Sequence, residues 1–551
     1  MGGSRSTVAR LLVPACVLAL VLAVGSEPNA LGSPVAQPNG GIFQISLAPQ
    51  SGLDHMDPAL SFTPPGWALI DTTCARLMSY PDRPPPAGFR VEPEVAAAPP
   101  RVSADLKTYT FTLRKGFRFS TGAPVTADAF ARAITRALEP AMHSPGARFM
   151  LDIVGATAVR SGRSAAVSGV DAHGRTLTVH LAHPSPDFAS RTTLPFFCAV
   201  PPNLPADPEG FGVIPSAGPY TVVEYRPGER VVIRRNPYYG GNRPHHVDGF
   251  NVDLRAASPA EMLRQIERGE ADWGHSLAPV FLDPALDLVA RYGINKTRLF
   301  EKPGLTMRLF VFNSSRPLFG NNPRLRRAVN FALDRQALQA ASGGPLAGAL
   351  TDQYLPPSVP GYRDADIYPL DHANVKRARE LARGNLRGGR AVLMVSDFAQ
   401  PLALAQLAKR QLAEIGLDVT IKTVPEHIAT AAYLDALAAP GVGWDIAMVL
   451  YTPNLPDPHA YINLLLDTQF VGGTNLGRFE SRRYDDAMRR ASRLPQASDR
   501  YRAYAALDAR LARDAAPIAA LSSLNEYTLV STRVGCMILR PVLDLTAVCL
   551  K

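Results

Sequence analysis

The fold is decided by residues 391–450, which run AVLMVSDFAQ PLALAQLAKR QLAEIGLDVT IKTVPEHIAT AAYLDALAAP GVGWDIAMVL. Ala391–Val395 is a short apolar run typical of a buried strand, and Leu417–Val424 and Asp445–Leu450 have the same character. Pro401–Ile415, between the first two runs, instead has the apolar spacing of a helix. The segment therefore predicts strands that are separated by helices.

The helical prediction rests on one apolar face and one glycine. The residues on that face are Leu404, Leu407, Ala408 and Leu412. Gly416 follows as a C-terminal cap, and a second helix is predicted at about 426–437. Because strands joined through helices run parallel, this order implies an α/β protein whose parallel strands are linked by right-handed crossovers.

Other strands and helices are predicted on both sides of this segment. Further strands are predicted at Tyr109–Leu113, Thr176–Leu181, Tyr220–Tyr225 and Val231–Arg235, and further helices after Thr126, Asn322 and Ser498. The strands around Pro227-Gly228 form a predicted hairpin, because that dipeptide favours a turn.

The composition is that of a large globular protein. The chain has 551 residues, 46% of them hydrophobic, and 58 Lys and Arg against 48 Asp and Glu give a net charge of +10. A core of this size excludes general disorder. The basic runs Arg324–Arg327 and Arg482-Arg483 lie on predicted helices, where a solvated face explains them, and no nucleic-acid motif accompanies them. We therefore expect no nucleic-acid partner.

The N-terminus predicts export. Arg5 and Arg10 precede the apolar run Leu11–Val24, which is the pattern of a signal peptide and is short for a membrane helix. Small residues favour cleavage after residue 25, and a later cut near Ala30 is the alternative. We expect residues 1–25 to be the signal peptide and the mature chain to lie in the periplasm or on the outer face of the cell membrane.

A cysteine within the signal peptide and the segment that follows the signal bear on how the mature chain is attached to the cell. Cys16 follows Val13-Pro14-Ala15, which resembles a lipid-attachment motif only loosely, so we do not expect a lipid anchor. Residues 26–41 are polar and rich in Pro and Gly, which predicts a flexible tether.

The cysteines then predict disulfides, since export places them in an oxidising compartment. Cys74, Cys198, Cys536 and Cys549 remain after cleavage, and they allow three pairings. We favour Cys536 with Cys549 because that loop is short, which leaves Cys74 with Cys198. Buried free thiols are the alternative.

No catalytic motif is found in the sequence. It lacks a nucleophile elbow, a zinc-protease helix, a phosphate loop and a dinucleotide fingerprint. His245-His246-Val247-Asp248 suggests a metal only weakly, because adjacent side chains on a strand point to opposite faces, and His180 and His183 flank a strand end. We predict a binding protein with neither metal nor cofactor, and not an enzyme.

At this point several motifs resemble one family, the extracytoplasmic solute-binding proteins of peptide-type ABC importers (the oligopeptide, dipeptide and nickel group, family 5). In chain order the similar motifs are Met56–Ala59 (MDPA), Tyr109–Gly116 (YTFTLRKG) with Phe119 and Gly122, Ala217–Tyr220 (AGPY), Asn236–Tyr239 (NPYY), Gly269–Asp272 (GEAD), Phe312-Asn313 with Arg324–Asp334 (RLRRAVNFALD), and Leu355–Pro357 (LPP). The resemblance covers about residues 42–551.

The resemblance implies a type II periplasmic-binding-protein fold, an α/β clamp of two lobes with mixed sheets. Lobe I would comprise residues 42–305, with an inserted subdomain at about 75–205, and lobe II residues 306–515. Residues 516–551 would return to lobe I. Strands near Leu305–Asn313 and Pro517–Ser523 would form a two-strand hinge.

It also implies a function and a site. Such proteins capture peptides between the lobes by hinge closure and deliver them to ABC permease subunits, as monomers. Aligned on Asp457-Pro458, Asn454 takes the place of the aspartate that anchors the ligand amine in the family, and Asp457 would organise the turn. Tyr451, Tyr433, Phe62 and Trp67 would be aromatic walls of the site.

The neutral side chain of Asn454 opens an alternative, because it supplies no counter-charge for an amine. The same fold would then bind a non-peptide solute such as a metal chelate, haem, a sugar or an opine. A hydrolase of the cell envelope is a further alternative, for which the sequence offers no nucleophile. A binding-fold protein kept for signalling or assembly is another.

Overall fold

A computed structural model of the protein describes residues 40–48, 53–84, 87–274, 282–397, 399–424, 433, 437, 439, 441, 443–540 and 543–551. The predicted signal peptide lies outside the described residues, as do most of the predicted tether and of the helix at 426–437. Gly40 and Gly41, at the end of that tether, already hydrogen-bond to the His246 carbonyl and the Asp248 carboxylate.

The segment 391–450 contributes three strands to a mixed sheet, which has six strands among the described residues. In spatial order they are Gly348–Leu350, Ile518–Leu529, Leu299–Phe312, Ile446–Tyr451, Arg390–Ser396 and Asp418–Val424. Arg390–Ser396 pairs in parallel with both Asp418–Val424 and Ile446–Tyr451. The predicted parallel arrangement is therefore confirmed.

Two long strands run through this sheet and beyond it. The first crossing strand, Leu299–Phe312, pairs antiparallel with the second crossing strand, Ile518–Leu529, from Leu299 opposite Leu529 to Val311 opposite Ile518. The register shifts between Pro303 and Met307. At Gly304 a Cβ atom would lie 2.7 Å from the Leu524 carbonyl oxygen, so the absence of a side chain lets the strands approach closely.

A second sheet lies at the other end of the crossing strands. Among the described residues its order is Ile42–Ser46, Gly249–Asp253, Arg230–Arg235 and Tyr220–Arg226, and the last two are the predicted hairpin. Trp273 forms a bridge to Ile45 of this sheet and another to Val530, which follows the second crossing strand. C-terminal side chains, including Leu539 and Val548, pack in the core of the same sheet.

A third sheet is formed by residues that lie in sequence between Ile42–Ser46 and Tyr220–Arg226 of the second sheet. Its order among the described residues is Arg101–Val102, Thr108–Thr112, Thr176–His180 and Val170–His173. Two short pairs complete the strands, Met78–Ser79 with Glu92–Pro93 and Val534–Cys536 with Cys549–Leu550.

Both favoured disulfides are present in the structure. Cys74 is bonded to Cys198 and Cys536 to Cys549, with Cα atoms 5.4 and 5.0 Å apart. The first joins the end of helix Pro64–Thr73 to a segment 124 residues away in sequence.

The helices surround these sheets. Their bounds are Pro64–Thr73, Ala127–Leu138, Ala156–Arg160, Phe188–Arg191, Pro259–Arg268, Leu282–Tyr292, Pro323–Ala332, Arg335–Ala340, Val375–Ala382, Ala399–Ala413, Pro458–Leu466, Arg482–Ser492 and Ala497–Arg510. Asn322 caps Pro323–Ala332 by accepting the Leu325 N–H. The predicted cap Thr126 behaves differently, because its hydroxyl donates to the Asp128 carboxylate and accepts no N–H of the helix. Within the described part of the chain, no helix is long and apolar enough to cross a membrane.

Candidate functional site

The candidate site is built around the loop of residues 452–457, which joins strand Ile446–Tyr451 to helix Pro458–Leu466. The loop therefore leaves the sheet at the carboxyl end of its parallel strands, where open α/β sheets bind ligands. Asp457 ends the loop as the N-cap of the helix, accepting the His459 N–H at 2.9 Å, and Pro458 occupies the first helical position.

Asp457 is also held by a buried ion pair. Its two carboxylate oxygens accept hydrogen bonds from Arg500, at 2.8 and 2.5 Å, and both side chains are 8% exposed. Burial alone would raise the pKa of Asp457, but the charge and hydrogen bonds of Arg500 outweigh it and hold the pKa below its ordinary value. Both oxygens of the carboxylate are therefore used in hydrogen bonds that fix the end of the loop.

Asn454 lies in the middle of the loop and is half-buried. Within the described residues its side chain makes no hydrogen bond, so its amide is available to a partner. Thr452, at the start of the loop, hydrogen-bonds through its hydroxyl to that of Thr306 in the first crossing strand, at 2.8 Å. Both ends of the loop are therefore fixed while its centre keeps a free polar group.

Leu455 connects the loop to the third sheet. Its side chain is 8% exposed and belongs to the apolar cluster of the third sheet, with residues such as Phe196 and Phe197. Phe62 and Trp67 pack against that same cluster. The structure thus brings the 452–457 loop and these two predicted aromatic residues to one apolar cluster.

Phe62 and Trp67 form part of a group of stacked rings. Phe62 lies edge-on to Trp67 at 5.7 Å and stacks on Phe196 at 6.2 Å, measured between ring centroids. The Phe62 N–H donates to Asp54 at 2.6 Å, and the Trp67 indole N–H to the Ser61 carbonyl at 2.8 Å. The backbone around these rings is therefore fixed by local hydrogen bonds.

Tyr451 and Tyr433 pack against a different cluster, on the six-stranded sheet. The Tyr451 hydroxyl donates to the Ala460 carbonyl, in the first turn of helix Pro458–Leu466. The Tyr433 hydroxyl lies 2.9 Å from the Met448 carbonyl and 3.3 Å from that of Met394. Both hydroxyls are used within the protein, so only the rings remain as possible walls for a ligand.

Metal-binding groups are absent from the described residues, where no set of three His, Cys, Asp or Glu side chains converges. His245, one of the two adjacent histidines, places Nδ1 3.0 Å from the Arg243 carbonyl oxygen.

Three important residues were missed by the sequence analysis. Arg500 was missed because nothing local pairs it with Asp457, which is 43 positions away. Asp54 accepts the Phe62 N–H, and Leu455 packs in the apolar cluster of the third sheet. An apolar side chain within a Pro- and Asn-containing loop was the one local signal for Leu455.

Sequence comparison finds one family model along most of the chain. The model for bacterial extracellular solute-binding proteins, family 5 (middle), matches residues 90–473. The probable D,D-dipeptide-binding periplasmic protein DdpA of Escherichia coli K12 is 26% identical over 466 residues, covering 82% of each chain. The periplasmic oligopeptide-binding protein OppA of the same strain is 25% identical over 438 residues, covering 75% of this chain and 76% of OppA.

Solved structures agree on the fold. Clavulanic acid biosynthesis oligopeptide binding protein 2 superposes with a TM-score of 0.83 at 22% identity, covering 93% of this chain and 96% of that one. The periplasmic binding protein DppA of Helicobacter pylori, in complex with the peptide STSA, gives 0.69 at 18% identity, covering 93% and 98%. The mixed sheets and crossing strands are thus those of the predicted two-lobe fold. The proteins of this family bind solutes, which agrees with the prediction that the chain is a binding protein and not an enzyme. The chain belongs to the bacterial extracellular solute-binding proteins of family 5.

Proposed function

We propose that this protein is an exported receptor that captures peptides between two lobes and delivers them to the membrane permease of an ABC importer. The names of the relatives support this cargo, since DdpA and OppA are described as dipeptide- and oligopeptide-binding. The signal-like N-terminus supports a location in the periplasm or on the outer face of the cell membrane. We expect the receptor to act as a monomer.

The observation that carries the proposal is the 452–457 loop. Its ends are fixed by the Thr452–Thr306 and Asp457–Arg500 contacts, and Asn454 between them has an unbonded amide. A peptide backbone offers a donor and an acceptor at every residue, and both must be satisfied when the peptide leaves water. An amide can supply both, at the sheet edge where α/β proteins bind ligands.

The three sheets support a division of the chain into two lobes. Lobe I would contain residues 42–305 and 516–551, with the inserted subdomain at about 75–205, and lobe II residues 306–515. The crossing strands would be the hinge, bending where their register shifts near Gly304. Closure of such a hinge around a ligand is a common mode of domain motion.

The aromatic residues would shape the site from both sides. Phe62 and Trp67 would line it from lobe I, and the rings of Tyr451 and Tyr433 from lobe II. Asp457 would support the loop without touching the solute, because Arg500 and the helix N-terminus occupy its oxygens.

The test is a thermal-shift screen of the mature protein against free-acid peptides of two to five residues. A ligand at 100 times its dissociation constant stabilises the folded state by about 2.7 kcal/mol, so a binding peptide should raise the melting temperature clearly. Asn454→Ala should weaken the binding of that peptide while the unliganded melting temperature stays unchanged.

The matched control is Asn203→Ala, which removes an amide from an exposed loop position. This variant should bind as the wild type does. The assignment of the site fails if Asn454→Ala binds the peptide as tightly as the wild type and Asn203→Ala do. The peptide proposal fails if no peptide raises the melting temperature of the wild type.

A further inference from the structure

Arg308 is a buried arginine in the first crossing strand. Its side chain is 4% exposed, and its neighbours Met307 and Leu309 are fully buried. Within the described residues, its single hydrogen bond to protein runs from Nη2 to the Gln400 side-chain oxygen, at 3.1 Å. A guanidinium carries five N–H donors, so most of its bonding capacity is unused.

Other buried arginines have more partners than Arg308 among the described residues. Arg136 and Arg500 each bind both oxygens of a carboxylate. Among the described residues, Arg335 and Arg326 form no ion pair but donate to carbonyl oxygens, Arg335 to those of Ala520 and Asn330. Because a buried charge without partners is costly, the isolation of Arg308 requires an explanation.

The position of Arg308 points to a ligand. It lies opposite Leu450 in the neighbouring strand, and directly opposed residues of an antiparallel pair share a face of the sheet. Leu450 is 40% exposed, so this face is open to solvent at that point. The 452–457 loop begins two residues after Leu450. Arg308 therefore lies near the end of the sheet from which the loop with Asn454 extends.

Two further groups favour an anion there. Gln400 lies in the first turn of the 15-residue helix Ala399–Ala413, whose N-terminal N–H groups carry partial positive charge. Burial lowers the pKa of Arg308 to about 10, which leaves the guanidinium protonated at neutral pH. No carboxylate approaches within salt-bridge distance of Arg308 among the described residues.

We propose that Arg308 anchors a carboxylate of the bound solute, with its planar donor fork facing the two carboxylate oxygens. The inference rests on the proposed function, since it assumes that the solute binds at this edge. It adds to that proposal that the bound solute is negatively charged. Neutral Asn454 would contact the peptide backbone, and Arg308 would select peptides with an accessible carboxylate. The carboxylate could come from the peptide C-terminus or from an acidic side chain.

The experiment is calorimetric titration of the mature protein with three sets of peptides. They are free-acid alanine peptides of two to five residues, the same peptides with amidated C-termini, and amidated peptides with one aspartate. The protein variants are wild type, Arg308→Met, Arg308→Lys and the control Arg410→Met, which changes an exposed arginine of helix Ala399–Ala413.

We expect Arg308→Met to weaken the binding of the carboxylate-bearing peptide at least tenfold, and Arg308→Lys to weaken it less. Amidated alanine peptides should bind the wild type as weakly as they bind Arg308→Met. Loss with the free acids assigns the C-terminal carboxylate, and loss confined to the aspartate peptides assigns a side chain. Arg410→Met should match the wild type.

A second readout separates ligand binding from a structural role. Because no carboxylate pairs with Arg308 in the part of the chain that the structure describes, Arg308→Met should leave the unliganded melting temperature unchanged or raise it. The inference is overturned if Arg308→Met binds carboxylate peptides as tightly as the wild type, or if weaker binding comes with a lower melting temperature. If no peptide binds the wild type, the proposed function itself fails.

Discussion

The buried ion pair that holds the end of the 452–457 loop makes a specific contribution to the stability of the folded protein. Asp457 and Arg500 are both 8% exposed and share two hydrogen bonds. Breaking a buried pair by removing one charge typically costs 3–5 kcal/mol, because the other charge stays buried. Asp457→Asn isolates this term, since asparagine caps a helix about as well as aspartate does.

We expect Asp457→Asn to lower the free energy of unfolding by about 3 kcal/mol at pH 7. The lower end of the range applies because the asparagine oxygen still accepts one N–H of Arg500. Adding Arg500→Met should recover much of the loss, because the double variant leaves no buried charge at this place.

The pH dependence has a definite sign. The pKa of Asp457 in the folded protein lies below its ordinary value, so the folded state favours the ionised carboxylate. The stabilisation is therefore complete above pH about 4, the ordinary aspartate value, and is lost as the pH falls through the folded pKa. The difference between wild type and Asp457→Asn should be constant from pH 6 to 8 and shrink in acid.

Urea unfolding followed by circular dichroism at several pH values measures all of these quantities, and peptide titration of the same samples adds the affinity. A loss below 1 kcal/mol at pH 7 would refute the energetic argument. Weaker peptide binding with unchanged stability would refute the supporting role of Asp457 and indicate that its carboxylate touches the solute.

Three other predictions concern the structure around the site. Leu455→Ala should lower the free energy of unfolding by about 2–4 kcal/mol in urea, and no loss would contradict its packing against the third sheet. Replacing both Cys74 and Cys198 by alanine should lower the free energy of unfolding by about 2–5 kcal/mol, because the disulfide between them is lost. The melting temperature of this variant should therefore fall, and an unchanged melting temperature would contradict the prediction. Burial raises the pKa of Glu526 to about 8, so the wild type should lose stability as the pH rises from about 4.5 to 8. Glu526→Gln should be more stable than the wild type at pH 9 by on the order of 5 kcal/mol and equal to it at pH 4, and parallel stability curves would contradict this.

Much of the architecture could be predicted because it depends on local patterns. The strands around residue 391, the hairpin at Pro227-Gly228 and the helix beginning at Pro323 each carry a periodicity or a turn residue that decides the element. The order of several such motifs was sufficient to indicate the family, although each was weak alone.

The chemistry of the site could be predicted only in part. The sequence located the loop that contains Asn454, but it gave no sign that the Tyr451 hydroxyl bonds the Ala460 carbonyl. Such contacts depend on the tertiary packing of distant segments. Arg308 illustrates the limit, because a strand pattern predicts burial for that position but not its partner, which is Gln400, 92 positions away in sequence.

The central claim is that this protein captures a peptide and releases it unchanged. Its most direct test is equilibrium dialysis of the purified mature protein against short free-acid peptides, followed by mass spectrometry of the bound and released fractions. We predict saturable binding of one peptide per chain and recovery of that peptide intact. Binding that does not saturate, or recovery of a shortened peptide, would contradict the claim.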